Sequence, residues 1–380
     1  MLRWRRSGEQ LSSRRSGPPR VYLDDAGGAP LLEEAREARA GAPQGNPSSP
    51  HAEGRAARAT LDRARDLAGR ALGVEPGELV FCSSGTEAVN LALLGAARRL
   101  PPGRSLLTWA AEHQAVLGAA RQLQLEGRPV HVLPVDGAGF ADVSRLPEDA
   151  GLVSIGLANN EVGTLQPVEE AVRQAREVGA TVHLDCCQGP RWLRPPLQLA
   201  DLASFSGHKL GAGGGGLLFA RREVRLQPLQ YGGPQEWGRR AGREDVANAA
   251  ALAAALAVTD RERDFRAAAA APLAASLREA LVEAGGRLTG GEPRLPNFAS
   301  ATFRERRGED LLLALDLAGV AASSGSACAS GSLDPSHVLL AMGFSLEEAL
   351  GSLRLTAGYG TSGADVERMF HVLQRLPAHA

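Results

Sequence analysis

Between residues 79 and 220 short apolar runs alternate with helical patterns, and no other feature narrows the possible folds as much. The apolar runs are Leu79–Cys82, Ser105–Trp109, Val130–Pro134, Leu152–Leu157, Thr181–Leu184, Leu202–Phe205 and Gly216–Ala220. Helical patterns occupy Thr86–Leu100, His113–Glu126 and Val168–Val178. Continuous apolar strands separated by helices predict an α/β fold with a mostly parallel sheet covered on both faces. Ligands in such sheets bind beyond the carboxyl ends of the strands. Polar clusters sit at those predicted ends: Ser83-Ser84-Gly85-Thr86, Asn159-Asn160-Glu161, Asp185, and Ser206-Gly207-His208-Lys209.

A chain of 380 residues is long enough for two domains. An Ala-rich helical stretch from about Ala247 to Ala284 leads into a second, smaller α+β region, with Pro293–Phe303 strand-like and Glu309–Ala318 helical. We divide the chain into a basic tail (1–20, expected to be disordered), a segment joining the small domain (21–40), a large domain (41–250) and a small C-terminal domain (251–380). The net charge of −1 provides no field for nucleic acid or a membrane surface. No apolar run approaches the ~20 residues of a membrane span. Cys82, Cys186, Cys187 and Cys328 have neither zinc-site spacing nor a disulfide framework, so we expect no metal and a cytoplasmic setting. The first 20 residues are rich in Arg and Ser, and an organellar presequence is the second reading of that segment.

Lys209 is the only lysine; every other basic position is Arg. A lysine amine can lose its proton and form an imine with an aldehyde, and a guanidinium cannot. Ser84-Gly85-Thr86 combines a strand end, a small-residue turn and a helix start, which suits phosphate as well as a plain N-cap. Asp185 closes a strand, where a carboxylate serves either as a turn residue or as the partner of a pyridine nitrogen. Ser206 and His208 flank the lysine and are candidate phosphate ligands. The four glycines Gly213–Gly216 read as a flexible turn after Lys209, because no helix pattern follows them.

Together these segments resemble the pyridoxal-phosphate cysteine desulfurases of the class V aminotransferase fold, a group close to the selenocysteine lyases. The matching segments are Val-Tyr-Leu-Asp (21–24), Gly-Asn-Pro-Ser-Ser (45–49), Ser-Gly-Thr-Glu (84–87), Glu-His-Gln-Ala-Val (112–116), Asn-Asn-Glu-Val-Gly (159–163), Ser-Phe-Ser-Gly-His-Lys (204–209) and Ser-Ser-Gly-Ser-Ala-Cys (323–328). The last of these is similar to the longer-loop branch of the family, which supplies sulfur for iron–sulfur clusters and thiolated tRNA.

The resemblance implies an aspartate aminotransferase-like fold, pyridoxal 5'-phosphate as cofactor, L-cysteine as substrate, a homodimer, and sulfur-acceptor or scaffold proteins as partners. It implies that Lys209 forms the Schiff base and that Asp185 pairs with the pyridine nitrogen. Gln188 and Asn160 lie near the phenolic oxygen, and His113 stacks on the ring and moves protons. Gly85, Thr86, Ser206 and His208 hold the phosphate, and Arg354 binds the substrate carboxylate. Cys328 takes the sulfur as a persulfide and alanine is released. The chain departs from the family at Asp25-Ala26-Gly27-Gly28-Ala29-Pro30, which bears on substrate fit. It departs again at Arg243, where the family places a threonine on the partner's phosphate, and at Cys186-Cys187, read as packing residues or oxidation-prone thiols. Alternative activities on the same fold are a selenocysteine lyase, a simple aminotransferase, which has no use for Cys328, and a non-catalytic sulfur-transfer scaffold.

Overall fold

The structure is a computed structural model that describes residues 20–325 and 334–375. The expected basic tail therefore lies outside the described residues except for Arg20, and so does Cys328. The chain opens with strand β1 (Val21–Tyr22) and helices α1 (Glu33–Ala40) and α2 (Ala52–Leu72). Strands β2 (Leu79–Cys82), β3 (Ser105–Trp109), β4 (Val130–Leu133), β5 (Ala150–Gly156), β6 (Thr181–Asp185), β7 (Leu202–Ser206) and β8 (Gly216–Ala220) follow. They alternate with α3 (Gly85–Ala97), α4 (Gln114–Leu125) and α5 (Val168–Glu177). The long α6 (Val246–Glu283) leads to β9 (Arg287–Leu288), β10 (Phe298–Thr302), α7 (Gly308–Leu317) and β11 (Val320–Ala321). The last described elements are α8 (His337–Ala341), α9 (Leu346–Leu350), β12 (Ser352–Thr356) and α10 (Gly363–Arg375).

Among the described residues the central sheet has seven strands in the order β2-β8-β7-β6-β5-β3-β4. Every neighbouring pair is parallel except those of β8, which runs antiparallel to both β2 and β7. The interior strands β5, β7 and β8 are buried at every residue, as expected of strands covered on both faces. One face packs Leu107, Ile155, Leu184, Phe205 and Phe219 against α2, α5 and α6. The other packs Leu106, Leu152, Leu202 and Leu218 against α3 and α4. At the edge, β4 leaves Val132 46% exposed.

A three-stranded sheet, β12-β10-β9, is antiparallel and packs Ala299, Ala301, Leu353 and Leu355 against Leu277, Leu281, Leu315 and Met369. Strand β1 joins β11 in parallel, which carries the N-terminal segment to this region. Among the described residues, no helix is long and apolar enough to cross a membrane.

Because β2 and β7 are both antiparallel to β8, they run in the same direction as β6, β5 and β3. The carboxyl ends of these five strands therefore share one edge. Only nine residues separate β7 from β8, and so short a link cannot make a parallel crossover. The glycine run makes a turn, as expected, and main-chain bonds close it. Gly207 N–H donates to Gly215 O (2.9 Å), and Gly213 and Gly215 have φ of +73° and +81°. A methyl on Gly207 would stand 2.0 Å from Gly214 O.

Gly207→Ala should therefore destabilise the protein by at least ~2 kcal/mol in urea unfolding, as overpacking against main chain does. Gly77→Ala, whose new methyl meets nothing within 4 Å, should leave the midpoint unchanged. Equal midpoints for the two variants would contradict the turn geometry.

Candidate active site

The five aligned carboxyl ends enclose a cavity of about 460 Å³. Gly85, Thr86, His113, Asn160, Asp185, Gln188, Ser206, His208 and Lys209 all line it. Of the remaining candidates, Cys328 is outside the described residues, and Arg354 stands behind the cavity wall. Arg243 is exposed and lines no part of the cavity within this chain.

The β2–α3 turn forms one end of the cavity. Ser84 caps α3, its hydroxyl accepting from Glu87 N–H at 3.1 Å. Glu87 in turn accepts from Ser83 N–H (2.6 Å) and from Arg240 Nε (2.9 Å), so the turn is braced from outside. Position 85 needs glycine, because a Cβ there would meet Cys187 Sγ and Ser206 Cβ, each at 2.8 Å. The bare amides at the start of a 13-residue helix make an anion site. The Ser206 hydroxyl faces that site and is hydrogen-bonded to His208 Nδ1 at 2.9 Å. Partial burial, then the charges of Lys209 and His113, hold the His208 pKa below the usual histidine value.

Lys209 lies on the turn after β7. Its ammonium donates to Ala26 O at 2.8 Å, and Gln188 Nε2 donates to the same carbonyl at 2.8 Å. Ala26 sits in the segment that departs from the family. The segment packs against Lys209, and its Gly27 lines the cavity. It is fastened by a buried ion pair, Asp25 Oδ1 to Arg191 Nη1 at 2.6 Å, with the Arg191 guanidinium over the Tyr359 ring at 3.8 Å. Ala26 N–H donates to Thr356 Oγ1 (3.0 Å), tying this segment to β12.

Asp185 ends β6 and is positioned at Oδ1 by Cys187 N–H (2.9 Å) and the Ser204 hydroxyl (3.2 Å). The two adjacent cysteines separate. Cys186 packs in the core, while Cys187 faces the cavity beside Gly85. Burial, and then the Asp185 charge, raises the pKa of both thiols. His113 is the N-cap of α4, its Nδ1 accepting from Ala115 N–H at 3.1 Å. A ring nitrogen that accepts an amide bond is not the protonated one, which leaves Nε2 as the nitrogen able to carry the proton.

Arg354, on β12, donates through Nη1 to Asn160 O (2.6 Å) and through Nη2 to Asp24 Oδ1 (2.7 Å). Its Nε is buried without a hydrogen-bond partner among the described residues. The guanidinium thus reaches the site through Asn160 rather than across open space.

Three groups carry no role in the sequence reading. Glu112, beside His113, accepts from Gly156 N–H at 2.7 Å beneath the cavity. Burial and, secondarily, the Asp185 charge push its pKa up to about 8. Glu161 follows Asn160 and is buried. His337, at the start of α8, is hydrogen-bonded through Nε2 to Glu112 O at 2.9 Å. Glu112 and Glu161 both fall within quoted motifs, which was the available signal. Their burial has no trace in the sequence.

The profile of the class-V aminotransferase family matches residues 21–369. The chain belongs to this family. Cysteine desulfurase IscS of Dictyoglomus turgidum is 37% identical over 378 residues, covering 94% of each chain. Cysteine desulfurase NifS of Azotobacter vinelandii is 39% identical over 341 residues, 86% of this chain and 84% of that one. A solved NifS-like protein superposes with a TM-score of 0.87 at 30% identity, covering 94% of this chain and 99% of that one. The α/β architecture with a mostly parallel central sheet is that of these PLP-dependent class V proteins.

Glu112 offers a pH test. Its carboxyl keeps its proton up to about 8 in the folded chain, against an ordinary 4.5. Between those values the native state holds a proton the unfolded chain has lost. The stabilisation is complete below the lower value and disappears as pH rises through the upper one. Glu112→Gln still accepts from Gly156 N–H and cannot ionise. In the coenzyme-free protein, wild-type Tm should fall by several degrees more than that of Glu112→Gln between pH 6 and about 8.5. Parallel Tm profiles would contradict the assignment.

Proposed function

We propose that this class V enzyme is a cysteine desulfurase, converting L-cysteine to L-alanine with pyridoxal 5'-phosphate and retaining the sulfur as a persulfide on Cys328. The observation that carries this reading is the chain's only lysine at the wall of a cavity that also holds Asp185, His113 and a glycine-floored anion site. The residues fit the coenzyme. Gly85, Thr86, Ser206 and His208 would hold its phosphate, Asp185 its pyridine nitrogen, His113 its ring face, and Asn160 and Gln188 its phenolic oxygen. When bound, the coenzyme supplies an electron sink for the amino acid's Cα and Cβ.

The chain's own groups do the rest. The Lys209 amine would hold the coenzyme aldehyde and, beside Ala26 O, is placed to hold or pass on a proton at Nζ. His113 Nε2 accepts or returns a proton on the opposite side. Arg354, oriented by Asp24 and Asn160, attracts the substrate carboxylate. The Cys328 thiolate attacks the substrate sulfur, so that an S–S bond forms as the C–S bond breaks. The released electron pair returns to carbon, which takes a proton, and alanine leaves.

This reading extends to a homodimer, a cytoplasmic location, acceptor or scaffold proteins serving iron–sulfur cluster or thiolation pathways, and a division into large and small domains near residue 250. In a dimer the exposed Arg243 would supply its charge to the partner's phosphate.

Purified protein should be yellow, and Lys209→Ala should lose the borohydride-trappable coenzyme. With cysteine, wild type should yield alanine and a mass increase of one sulfur on Cys328, and Cys328→Ser should give at most about 1% of the wild-type alanine rate, the loss expected when a nucleophile is removed. Protein that stays colourless with added coenzyme overturns the reading, as does alanine from Cys328→Ser at the wild-type rate.

A further inference from the structure

A buried histidine next to Asp185 has no part in the chemistry above. His183, two residues earlier on β6, is fully buried. Side chains alternate along a strand, so His183 and Asp185 share one face of the sheet, while Val182 and Leu184 pack into the core on the other. Register brings two serines onto the same face. Ser154 of β5 stands beside His183, and Ser204 of β7 stands beside Asp185. Both serines are fully buried, on the face that carries Leu152 and Leu202.

These four side chains are joined end to end. Ser154 Oγ lies 2.9 Å from His183 Nδ1, His183 Nε2 lies 3.2 Å from Ser204 Oγ, and Ser204 Oγ lies 3.2 Å from Asp185 Oδ1. Counting protons gives the row a single direction. A carboxylate only accepts, so the one Ser204 hydroxyl proton goes to Asp185. Ser204 Oγ must then accept from His183, which places the ring proton on Nε2. Burial lowers the His183 pKa to about 4, with the Asp185 charge opposing the fall, so near neutral pH the ring has no second proton. Nδ1 is therefore bare and accepts from the Ser154 hydroxyl. Asp185 Oδ1 also accepts from Cys187 N–H at 2.9 Å. Both donors hold the same oxygen, which leaves Oδ2 for the crevice that Asp185 lines.

We propose that His183 is a positioning residue for Asp185, acting through Ser204 to fix the carboxylate that meets the coenzyme's ring nitrogen. The inference rests on the role given to Asp185 above. A serine hydroxyl rotates to suit its neighbours, and the Nε2–H donor, by occupying a lone pair of Ser204, biases the proton of that hydroxyl toward Asp185. Successive bonds in such a row polarise one another where water is excluded. A hydrogen bond to an ionised acceptor is worth more than one between neutral groups.

Two measurements test this. In coenzyme-free protein carrying 15N-labelled histidine, NMR at neutral pH should show His183, assigned by its loss in His183→Gln, as the neutral tautomer protonated at Nε2. A ring protonated at Nδ1 alone would overturn the proposal, because Ser204 would then give its proton to Nε2 and not to Asp185. Coenzyme affinity is read by fluorescence titration of His183→Leu, His183→Gln, Ser204→Ala and the double variant of His183→Leu with Ser204→Ala. His183→Leu and Ser204→Ala should each weaken the coenzyme Kd about tenfold, the size of one hydrogen bond to a charged group. In the double variant the loss should be close to that of Ser204→Ala alone, because His183 works through the missing hydroxyl. His183→Gln, whose amide can donate in place of Nε2, should stay within about threefold of wild type. With cysteine, kcat should fall in the same order while KM stays within about twofold. Losses that multiply in the double variant, or a coenzyme Kd unchanged by Ser204→Ala, would overturn the proposal. Should His183→Leu fail to fold, the tautomer and Ser204→Ala, which removes a single hydroxyl, decide the matter. If wild type takes up no coenzyme, the desulfurase reading fails, and the tautomer still judges the row from His183 to Asp185.

Discussion

The common direction of β2, β3, β5, β6 and β7 is the constraint on which the rest of the molecule depends. Parallel strands share one carboxyl edge, and the turns beyond that edge cannot continue the ladder. Their polar groups must find other partners or face a cavity. Here they do both. Ser84, His113 and Asn159 bond to nearby main chain, while Gly85, Asp185 and Lys209 line the crevice. The antiparallel β8 completes the arrangement, because its short link to β7 holds Lys209 in a tight turn rather than on a crossover.

Ion pairs largely removed from water hold the crevice and the segments around it. Asp25 with Arg191, Arg354 with Asp24, and Arg65 with Glu236 (2.7 Å) all join segments far apart in the chain. Replacing only one partner of such a pair leaves a buried charge without compensation. Asp25 and Arg191 matter most for the chemistry, since they set the position of the Ala26 carbonyl against which Lys209 and Gln188 both rest. Glu236 has a related role outside the cavity. It accepts from both Arg65 and Phe81 N–H, and its left-handed backbone (φ +46°) is tolerated because that network surrounds it. The segment it holds also carries Arg240, which braces the β2–α3 turn through Glu87.

Much of the fold was legible. The apolar runs Leu79–Cys82, Ser105–Trp109 and Gly216–Ala220 coincide with β2, β3 and β8, because strands buried on both faces carry few polar residues. Boundaries shifted where capping intervened. His113 reads as helical by pattern, but it is the N-cap of α4, and its side chain is thereby turned toward the crevice. The sequence reading passed over α2, although Ala57, Leu61, Ala64 and Ala68 form its buried stripe. That stripe is mostly alanine, which gives little contrast in hydropathy.

From the sequence alone came the chemical identity of the site: a solitary amine, a strand-end carboxylate, a small-residue helix start, and the spacing that placed them on one sheet edge. Packing alone decided which groups lie beneath and behind that edge. Glu112 meets Gly156 across 44 positions, Arg191 meets Asp25 across 166, and Ser336 meets Glu161 across 175. Periodicity reports which face of an element is buried. It does not report which distant segment covers that face, and the protonation and position of these three carboxyl groups depend on that cover.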